Sequence, residues 1–184
     1  MTKVSSNMLA LGTVAPLFTL LDVVSNKKIT LTINPDYQVT IIMFLCNHCP
    51  YVKHVNHELT NIATNYINKK VRFIAINSND ADAYPDDSPL NMKKIAQIEQ
   101  YPFPYLYDET QEVAKAYQAA CTPDFYLFDK DLILTYRGQL DDSRPGNAIE
   151  VNGFYLRKAI EQTLLNQPIT IEQKPSLGCN IKWK

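Results

Sequence analysis

The sequence predicts a single α/β domain in which a mixed β-sheet carries helices on both faces. An almost wholly apolar run at residues 39–45 is typical of a central strand that is covered on both sides. The apolar positions then change to helical spacing over residues 50–70, and residues 71–76 form the next apolar strand. Two later runs, residues 124–128 and 132–136, flank a short Asp-Lys-Asp turn and predict a hairpin. Alternating strands and helices followed by a hairpin indicate a mixed sheet.

The other elements follow from turn and capping residues. Ser88 followed by Pro89 is typical of a helix N-terminus, and Asp108 with Gln111 resembles a capping pair before another helix. The polar stretch that ends at Pro89 predicts an insertion after the second core strand. The remaining strands are predicted in an N-terminal hairpin at residues 18–21 and 28–31 and in a short segment at residues 103–107. The predicted helices run from Pro50 to Lys69-Lys70, from Pro89 to about Gln100, from the Asp108 region to about Ala120, and over residues 154–165 at the end of the domain.

Length and composition exclude several classes of protein. A chain of 184 residues with 46% apolar residues can bury a core without disulfides or metal, which excludes intrinsic disorder. Its 18 basic and 19 acidic side chains leave a net charge of −1, so a basic face for nucleic acid is not expected. No apolar run reaches the roughly 20 residues of a membrane span. We therefore expect one domain over residues 1–184 with a C-terminal tail at about 167–184, in a cytoplasmic protein without nucleic-acid or membrane partners.

The strongest functional signal is Cys46-Asn47-His48-Cys49, which lies directly after the predicted central strand and directly before a helix. The N-terminus of a helix favours a thiolate because it offers unpaired N–H groups and the positive end of the dipole. With two residues between the cysteines, the second sulfur can reach the first and resolve a mixed disulfide. We expect Cys46 to be the more exposed, attacking thiolate and Cys49 to be the resolving thiol. His48 adds positive charge beside them when it is protonated.

Two other interpretations of the cysteine pair remain open. The cysteines could be inert core residues at the start of a helix, which their position between strand and helix disfavours. They could also bind zinc, but a structural zinc site usually draws four ligands and the sequence has no second C-x-x-C. His54 and His57 could join such a site, although they point along the helix away from its start. We expect no metal and no cofactor.

Two segments, FLCNHCPYVKHV at residues 44–55 and CTPDFYLFD at residues 121–129, resemble the thioredoxin superfamily, as does the order of strands and helices. More narrowly, the chain is similar to the peroxiredoxin-like branch of the redoxin (AhpC/TSA) family, from LGTVAPLFTLLDV to the SLGCNIKWK tail. The resemblance implies a thioredoxin-like fold. It also implies that Pro123 is the cis-proline that faces the C-x-x-C motif, and that Thr122 and Pro123 bind an extended substrate.

The chain departs from the peroxidase pattern of that family. The peroxidases carry P-x-x-x-T-x-x-C, whereas Val39 and Met43 occupy the Pro and Thr positions before Cys46. A gapless fit places Pro123 where the family has its peroxide-stabilising arginine. Without these donors, no residue is predicted to polarise a peroxide O–O bond. The buried acid that assists the resolving thiol of thioredoxin is also missing from residues 39–45.

Other residues carry weaker signals. Cys121 borders the predicted active site and Cys179 lies in the tail, so both are candidates for additional redox thiols. A small buried side chain explains Cys121 as well. A run of acids after the second core strand lacks the Gly and Glu of a calcium-binding loop and predicts a solvated loop. That run comprises Asp80, Asp82, Asp86 and Asp87.

The sequence therefore predicts an enzyme, a thiol–disulfide oxidoreductase that cycles between a Cys46/Cys49 dithiol and its disulfide. Its expected partners are protein or small-molecule disulfides and a cellular thiol reductant. One alternative is a peroxiredoxin-like thiol peroxidase with an antioxidant role, in which Cys46 is oxidised to a sulfenic acid. The other is a redox-sensing or metal-carrying binding module that uses the same thiols.

Overall fold

The structure is a computed structural model that describes residues 2–184. The strands are β1 (Lys3–Ser5), β2 (Thr19–Asp22), β3 (Lys28–Thr30), β4 (Val39–Phe44), β5 (Val71–Asn77), β6 (Tyr105–Tyr107), β7 (Cys121–Thr122), β8 (Asp124–Phe128), β9 (Leu134–Gly138) and β10 (Leu177–Asn180). The helices are α1 (Pro50–Tyr66), α2 (Pro89–Ile98), α3 (Glu112–Ala116) and α4 (Phe154–Leu164), and a single 3-10 turn spans Pro85–Asp87.

Seven of these strands form a central mixed sheet in the order β3-β2-β6-β5-β4-β8-β9. Strand β4 is parallel to β5 and antiparallel to β8, so the mixed sheet predicted from the sequence is confirmed. Every residue of β4 is buried, as the apolar run predicts for a strand with both faces covered. Successive side chains alternate between two core layers, with Ile41 and Met43 in one layer and Ile42 and Phe44 in the other.

Helices cover both faces of this sheet. The buried residues of α1, α2 and α4 pack in the layer that contains Ile41, whereas Ala114 of α3 packs in the layer that contains Ile42. The predicted hairpins are β2–β3 and β8–β9, and both are confirmed as antiparallel pairs. Within residues 2–184, no helix is both long enough and apolar enough to cross a membrane.

The capping pair predicted before α3 is only half correct. Asp108 accepts hydrogen bonds from the N–H groups of the first turn, the shorter one from Ala114 at 2.9 Å. Gln111 instead occupies the N-cap in a left-handed conformation, and its amide donates to the carbonyls of Ser78 and Lys182. Its side chain therefore anchors the C-terminal segment and does not cap the helix.

The C-terminal segment, predicted as a polar tail, contains a strand. Strand β10 lies between β1 and β7 in a second, three-stranded sheet. Cys179 of β10 is paired with Thr122, the residue before Pro123. Four residues that include Gly and Asn give little strand signal by themselves, since a strand of this kind depends on the partners on both sides. This sheet carries the end of the chain to the candidate site.

Candidate active site

The C-x-x-C motif lies at the junction of the central strand and the first helix. Strand β4 ends at Phe44, and Cys49 is the N-cap of α1, with Pro50 at the first helical position. The structure therefore places the two cysteines where the sequence predicts them. Cys46 is 2% exposed and Cys49 is 0% exposed, so the expectation of a more exposed Cys46 is met only by a small margin.

The segment around Pro123 faces both cysteines. The Thr122–Pro123 peptide bond is cis, as the resemblance implies. The Sγ of Cys46 lies 3.1 Å from the hydroxyl Oγ1 of Thr122, and the Sγ of Cys49 lies 3.2 Å from the carbonyl oxygen of Thr122. The fold thus brings together residues that are more than 70 positions apart in the chain.

His48 also lies at this site, beside the carboxylate of Asp87, which the sequence predicts to lie in a solvated loop. Its Nδ1 is 2.6 Å from Oδ2 of Asp87, an ion pair when the imidazole is protonated, although neither ring nitrogen makes a well-aligned hydrogen bond. The imidazole stacks on the ring of Tyr84, with the ring centroids 5.7 Å apart. His48 is therefore held between an aromatic ring and a buried acid.

The prediction of a solvated acidic loop is wrong for Asp87. Its side chain is fully buried, whereas Asp82 and Asp86 are exposed as expected. Three neighbours donate to its carboxylate: the backbone N–H of Asn47 at 2.6 Å and the side-chain amides of Asn77 and Asn79 at 3.1 and 2.8 Å.

The surroundings of Asp87 keep it charged despite its burial. Burial by itself would raise the pKa of the carboxyl, but the contact with His48 and the hydrogen bonds from Asn79 and Asn47 more than offset this, so the pKa is lowered. This negative charge in turn disfavours a second one nearby. The pKa of the Cys46 thiol is raised by its hydrogen bond with Cys49, by burial and by the charge of Asp87.

Cys49 has the opposite electrostatic environment. The hydrogen bond from Cys46 lowers the pKa of Cys49 to about 5 against the effect of burial, with further help from Cys179 and from the N–H of Val52 in the first turn of α1. A negative charge is therefore favoured at Cys49 over Cys46 in the reduced pair.

The two additional thiols named from the sequence are both buried close to the motif. The Sγ atoms of Cys179 and Cys49 are 2.8 Å apart, and Cys179 is 4% exposed. Cys121 is fully buried on β7, with its Sγ 3.9 Å from the carbonyl oxygen of Pro123. Burial raises the pKa of the Cys121 thiol. Its environment is that of a small buried side chain.

One group of side chains has the composition of a metal site. Ligand atoms of Cys46, His48 and Asp87 all lie within 4.8 Å of one another. A structural zinc site usually has four protein ligands, whereas this group offers three. His54 and His57 do not join the group, because His54 lies against Ser143 and His57 against Asn61.

The sequence of this chain matches an established family. Residues 11–137, more than half of the chain, match the sequence model of the AhpC/TSA family. The chain belongs to the AhpC/TSA family. Comparison with curated proteins gives no match.

Solved structures extend this likeness over the whole chain. An uncharacterized conserved protein from Geobacillus kaustophilus is 59% identical, covers 100% of this chain and 97% of its own, and superposes with a TM-score of 0.97. A hypothetical protein from Sinorhizobium meliloti is 42% identical, with 98% of each chain covered and a TM-score of 0.95. The thioredoxin domain of a thiol-disulfide oxidoreductase from Bacteroides vulgatus is 17% identical, with a TM-score of 0.61 over 73% of this chain and 91% of its own. This redoxin therefore has a thioredoxin-like fold.

Proposed function

We propose that this redoxin is a thiol–disulfide oxidoreductase that cycles between a Cys46/Cys49 dithiol and the corresponding disulfide. The observation that carries the proposal is the contact of both sulfurs with Thr122, directly before the cis-proline, at the N-terminus of α1. Membership of the AhpC/TSA family supports redox chemistry at this cysteine pair. The thioredoxin-like fold supports the choice of disulfides as substrates.

The reaction transfers two electrons from the dithiol to a substrate disulfide. Cys46, as a thiolate, attacks one substrate sulfur, forms a mixed disulfide and releases the other substrate sulfur as a thiolate. Cys49 then attacks the Sγ of Cys46, which breaks the mixed disulfide and releases the second substrate thiol. The chain is left with a Cys46–Cys49 disulfide, which a cellular thiol reductant returns to the dithiol.

Thr122 and the helix N-terminus assign different roles to the two sulfurs. The contact with the Thr122 hydroxyl lowers the pKa of Cys46, because the hydroxyl can donate to a thiolate, whereas the Sγ of Cys49 faces the Thr122 carbonyl. A thiolate at Cys49 is ready to resolve as soon as Cys46 carries the substrate. A hollow lined by His48, Lys53, Tyr84 and Pro85 lies beside the motif.

Substitution of each cysteine tests these roles. Cys46→Ser is expected to abolish reduction of oxidised glutathione and of a disulfide-bonded test protein, because the sulfur that attacks the substrate is removed. Cys49→Ser is expected to accumulate mixed disulfides, because the intermediate forms and cannot be resolved. Non-reducing electrophoresis and mass measurement detect the trapped species. Full activity of Cys46→Ser would contradict the proposal.

Cys121→Ser is the matched control for this experiment. Cys121 is as deeply buried as the active-site pair and lies next to Thr122 in the chain, but its Sγ contacts only a backbone carbonyl among the partners described. Its substitution is expected to leave turnover within a small factor of the unaltered protein. A loss as large as that in Cys46→Ser would point to disturbed packing and not to a lost nucleophile.

A thiol peroxidase is the second candidate, because Thr122 places a hydroxyl beside Cys46 although the threonine of the peroxidase motif is missing. The peroxidase pattern has Thr where Met43 stands, yet the Thr122 hydroxyl lies 3.1 Å from the Sγ of Cys46. Arg144 does not replace the arginine of the peroxidase pattern. Its guanidinium donates to the backbone carbonyls of Asp141 and Ser143 in its own loop. One donor without a cation gives weak activation of a peroxide.

We therefore expect slow oxidation of Cys46 by hydrogen peroxide, no faster than that of an ordinary thiolate with a comparable pKa. Stopped-flow measurement of the reduced protein against free cysteine, over a range of pH, gives the rate constant of the thiolate. A rate constant several orders of magnitude above that of free cysteine thiolate would favour the peroxidase. In that case Thr122→Val should remove most of the difference.

A further inference from the structure

A third thiol lies in contact with the resolving cysteine. Cys179 and Cys49 are 130 residues apart in the chain, and their Sγ atoms are separated by 2.8 Å. Cys46 and Cys179 therefore both interact with Cys49, which has a disulfide partner available on either side. A thiol in contact with one sulfur of a disulfide is placed to exchange with it.

The backbone holds Cys179 at this position from both directions. Cys179 is paired with Thr122, and the next residues are tied down by hydrogen bonds from the N–H of Ile181 to Ala120 and from the N–H of Lys182 to the side chain of Asn79. On the other side, a Cβ at Gly178 would lie 2.0 Å from the carbonyl oxygen of Thr122. Only glycine permits the two strands to approach so closely, and this approach carries Cys179 to Cys49.

We propose that Cys179 is a second resolving thiol, which takes the disulfide over from Cys46 and leaves it as Cys49–Cys179. This proposal rests on the function proposed above. The Cys179 thiolate attacks the Sγ of Cys49, the Cys49–Cys179 bond forms, and the Cys46–Cys49 bond breaks with its electron pair on Cys46. The proton lost by Cys179 balances the one taken up by Cys46, so the exchange is an isomerisation without net oxidation. Cys46 is then a thiol again while the chain still holds one disulfide.

The charges around Cys179 favour its ionisation only after the Cys46–Cys49 disulfide has formed. In the reduced protein, burial, the hydrogen bond to Cys49 and the charge of Cys49 raise the pKa of Cys179 to about 12. Formation of the Cys46–Cys49 disulfide removes the charge on Cys49 and its hydrogen bond. Lys182 lowers the pKa of Cys179 and remains in place. Cys179 is therefore easier to ionise once the disulfide that it attacks exists.

Disulfide mapping of cysteine variants tests the proposal. The full chain is oxidised with oxidised glutathione, alkylated without reduction, digested and mapped by mass measurement. The unaltered protein is expected to contain Cys49–Cys179 together with a fraction of alkylated Cys46. Cys46→Ser is expected to keep Cys49 and Cys179 as alkylated thiols, because the Cys46–Cys49 disulfide from which the exchange starts cannot form. Cys179→Ser is expected to contain only Cys46–Cys49 and to lose the alkylated fraction of Cys46.

Cys121→Ser serves as the control and is expected to give the map of the unaltered protein. The proposal is overturned if the unaltered protein contains only Cys46–Cys49, or if Cys179→Ser keeps the alkylated fraction of Cys46. Formation of Cys49–Cys179 in Cys46→Ser would also overturn it, because that disulfide would then not come from Cys46. These outcomes concern Cys179 alone and are distinguishable from failure of the proposed function. That failure is the absence of Cys46-dependent disulfide reduction, whichever disulfides the oxidised chain contains.

Discussion

At the scale of single residues, the chemistry of this site depends on His48 and Asp87, which lie beside the motif. Asp87 is fully buried with a lowered pKa, and Nδ1 of His48 lies 2.6 Å from its Oδ2. A protonated His48 cancels the charge of Asp87, whereas a neutral or missing imidazole leaves a net negative charge close to Cys46. Charges of the same sign repel each other strongly where water is excluded. The net charge of His48 and Asp87 therefore influences the pKa of Cys46.

This arrangement predicts that His48→Ala lowers the reduction potential of the cysteine pair. The uncompensated charge of Asp87 destabilises thiolate in the reduced protein and leaves the disulfide unaffected, so the disulfide becomes harder to reduce. We expect a change of roughly 30 mV, which corresponds to about a tenfold change in the equilibrium constant of a two-electron couple. Equilibration with glutathione or dithiol buffers measures it.

His57→Ala is the matched control, since His57 is an exposed histidine of α1, the helix that directly follows the motif. It is expected to leave the potential unchanged. Asp87→Asn is expected to shift the potential upward, opposite to His48→Ala, because it removes the negative charge. If both substitutions at the pair shifted the potential in the same direction, the electrostatic explanation would fail and a change of local structure would be the cause.

At the scale of elements, β10 determines the shape of the site. It separates β1 from β7, and its approach to Thr122 leaves no room for a side chain at Gly178. The segment before it is equally close to the central sheet, since a Cβ at Gly138 of β9 would lie 2.1 Å from the carbonyl oxygen of Lys174. The C-terminal segment is thus packed against backbone atoms at two places.

Gly178→Ala is expected to destabilise the protein, by about 1–3 kcal/mol in the free energy of unfolding, because the new methyl group can be accommodated only by movement of backbone. Chemical denaturation measures the change. Lys3→Ala, at an exposed position of β1 in the same small sheet, is the control and is expected to change stability by less than about 0.5 kcal/mol. Equal stability of Gly178→Ala and the unaltered protein would show that β10 is free to shift.

At the scale of the whole molecule, the junction between the two sheets contains a buried acid. Asp124 begins β8 directly after Pro123 and is 1% exposed. Its carboxyl accepts hydrogen bonds from the hydroxyl of Tyr126 at 2.9 Å and from the N–H of Phe125 at 3.1 Å. Burial nevertheless dominates and raises the pKa of Asp124 from 3.8 to about 7.

This raised pKa predicts a loss of stability between pH 4 and pH 7. The folded protein holds the proton of Asp124 more tightly than the unfolded chain, so the stabilising contribution is complete below the unfolded pKa of 3.8 and is lost as the pH rises through about 7. The slope from this group approaches about 1.4 kcal/mol per pH unit within that window. Urea unfolding at a series of pH values measures the slope.

Asp124→Asn is expected to remove the contribution of this group, so that stability falls less with rising pH than in the unaltered protein, since the amide does not titrate. Asp131→Asn, which changes an exposed acid on the neighbouring turn, should keep it. Parallel curves for Asp124→Asn and the unaltered protein across this pH range would rule out Asp124 as the titrating group.

The sequence by itself determined the parts of this protein that depend on local pattern. The apolar run of β4, the helical spacing of α1 and the two hairpins were predicted because burial and turn chemistry act over a few neighbouring residues. The placement of Cys46 and Cys49 followed for the same reason, since a strand end and a helix start are adjacent in the chain. The cis-proline at Pro123 came from the family resemblance and not from the pattern.

Only the tertiary structure decided which distant residues complete the site. Asp87 accepts a hydrogen bond from the backbone N–H of Asn47, which is 40 residues away in the chain. Cys179 contacts Cys49, which is 130 residues away. Nothing in the local pattern distinguishes Asp87 from the exposed Asp86 next to it, or marks Cys179 as part of a strand. Both placements depend on the order and register of strands that meet only in the folded chain, and for Cys179 on the close approach of β10 to β7 that Gly178 permits.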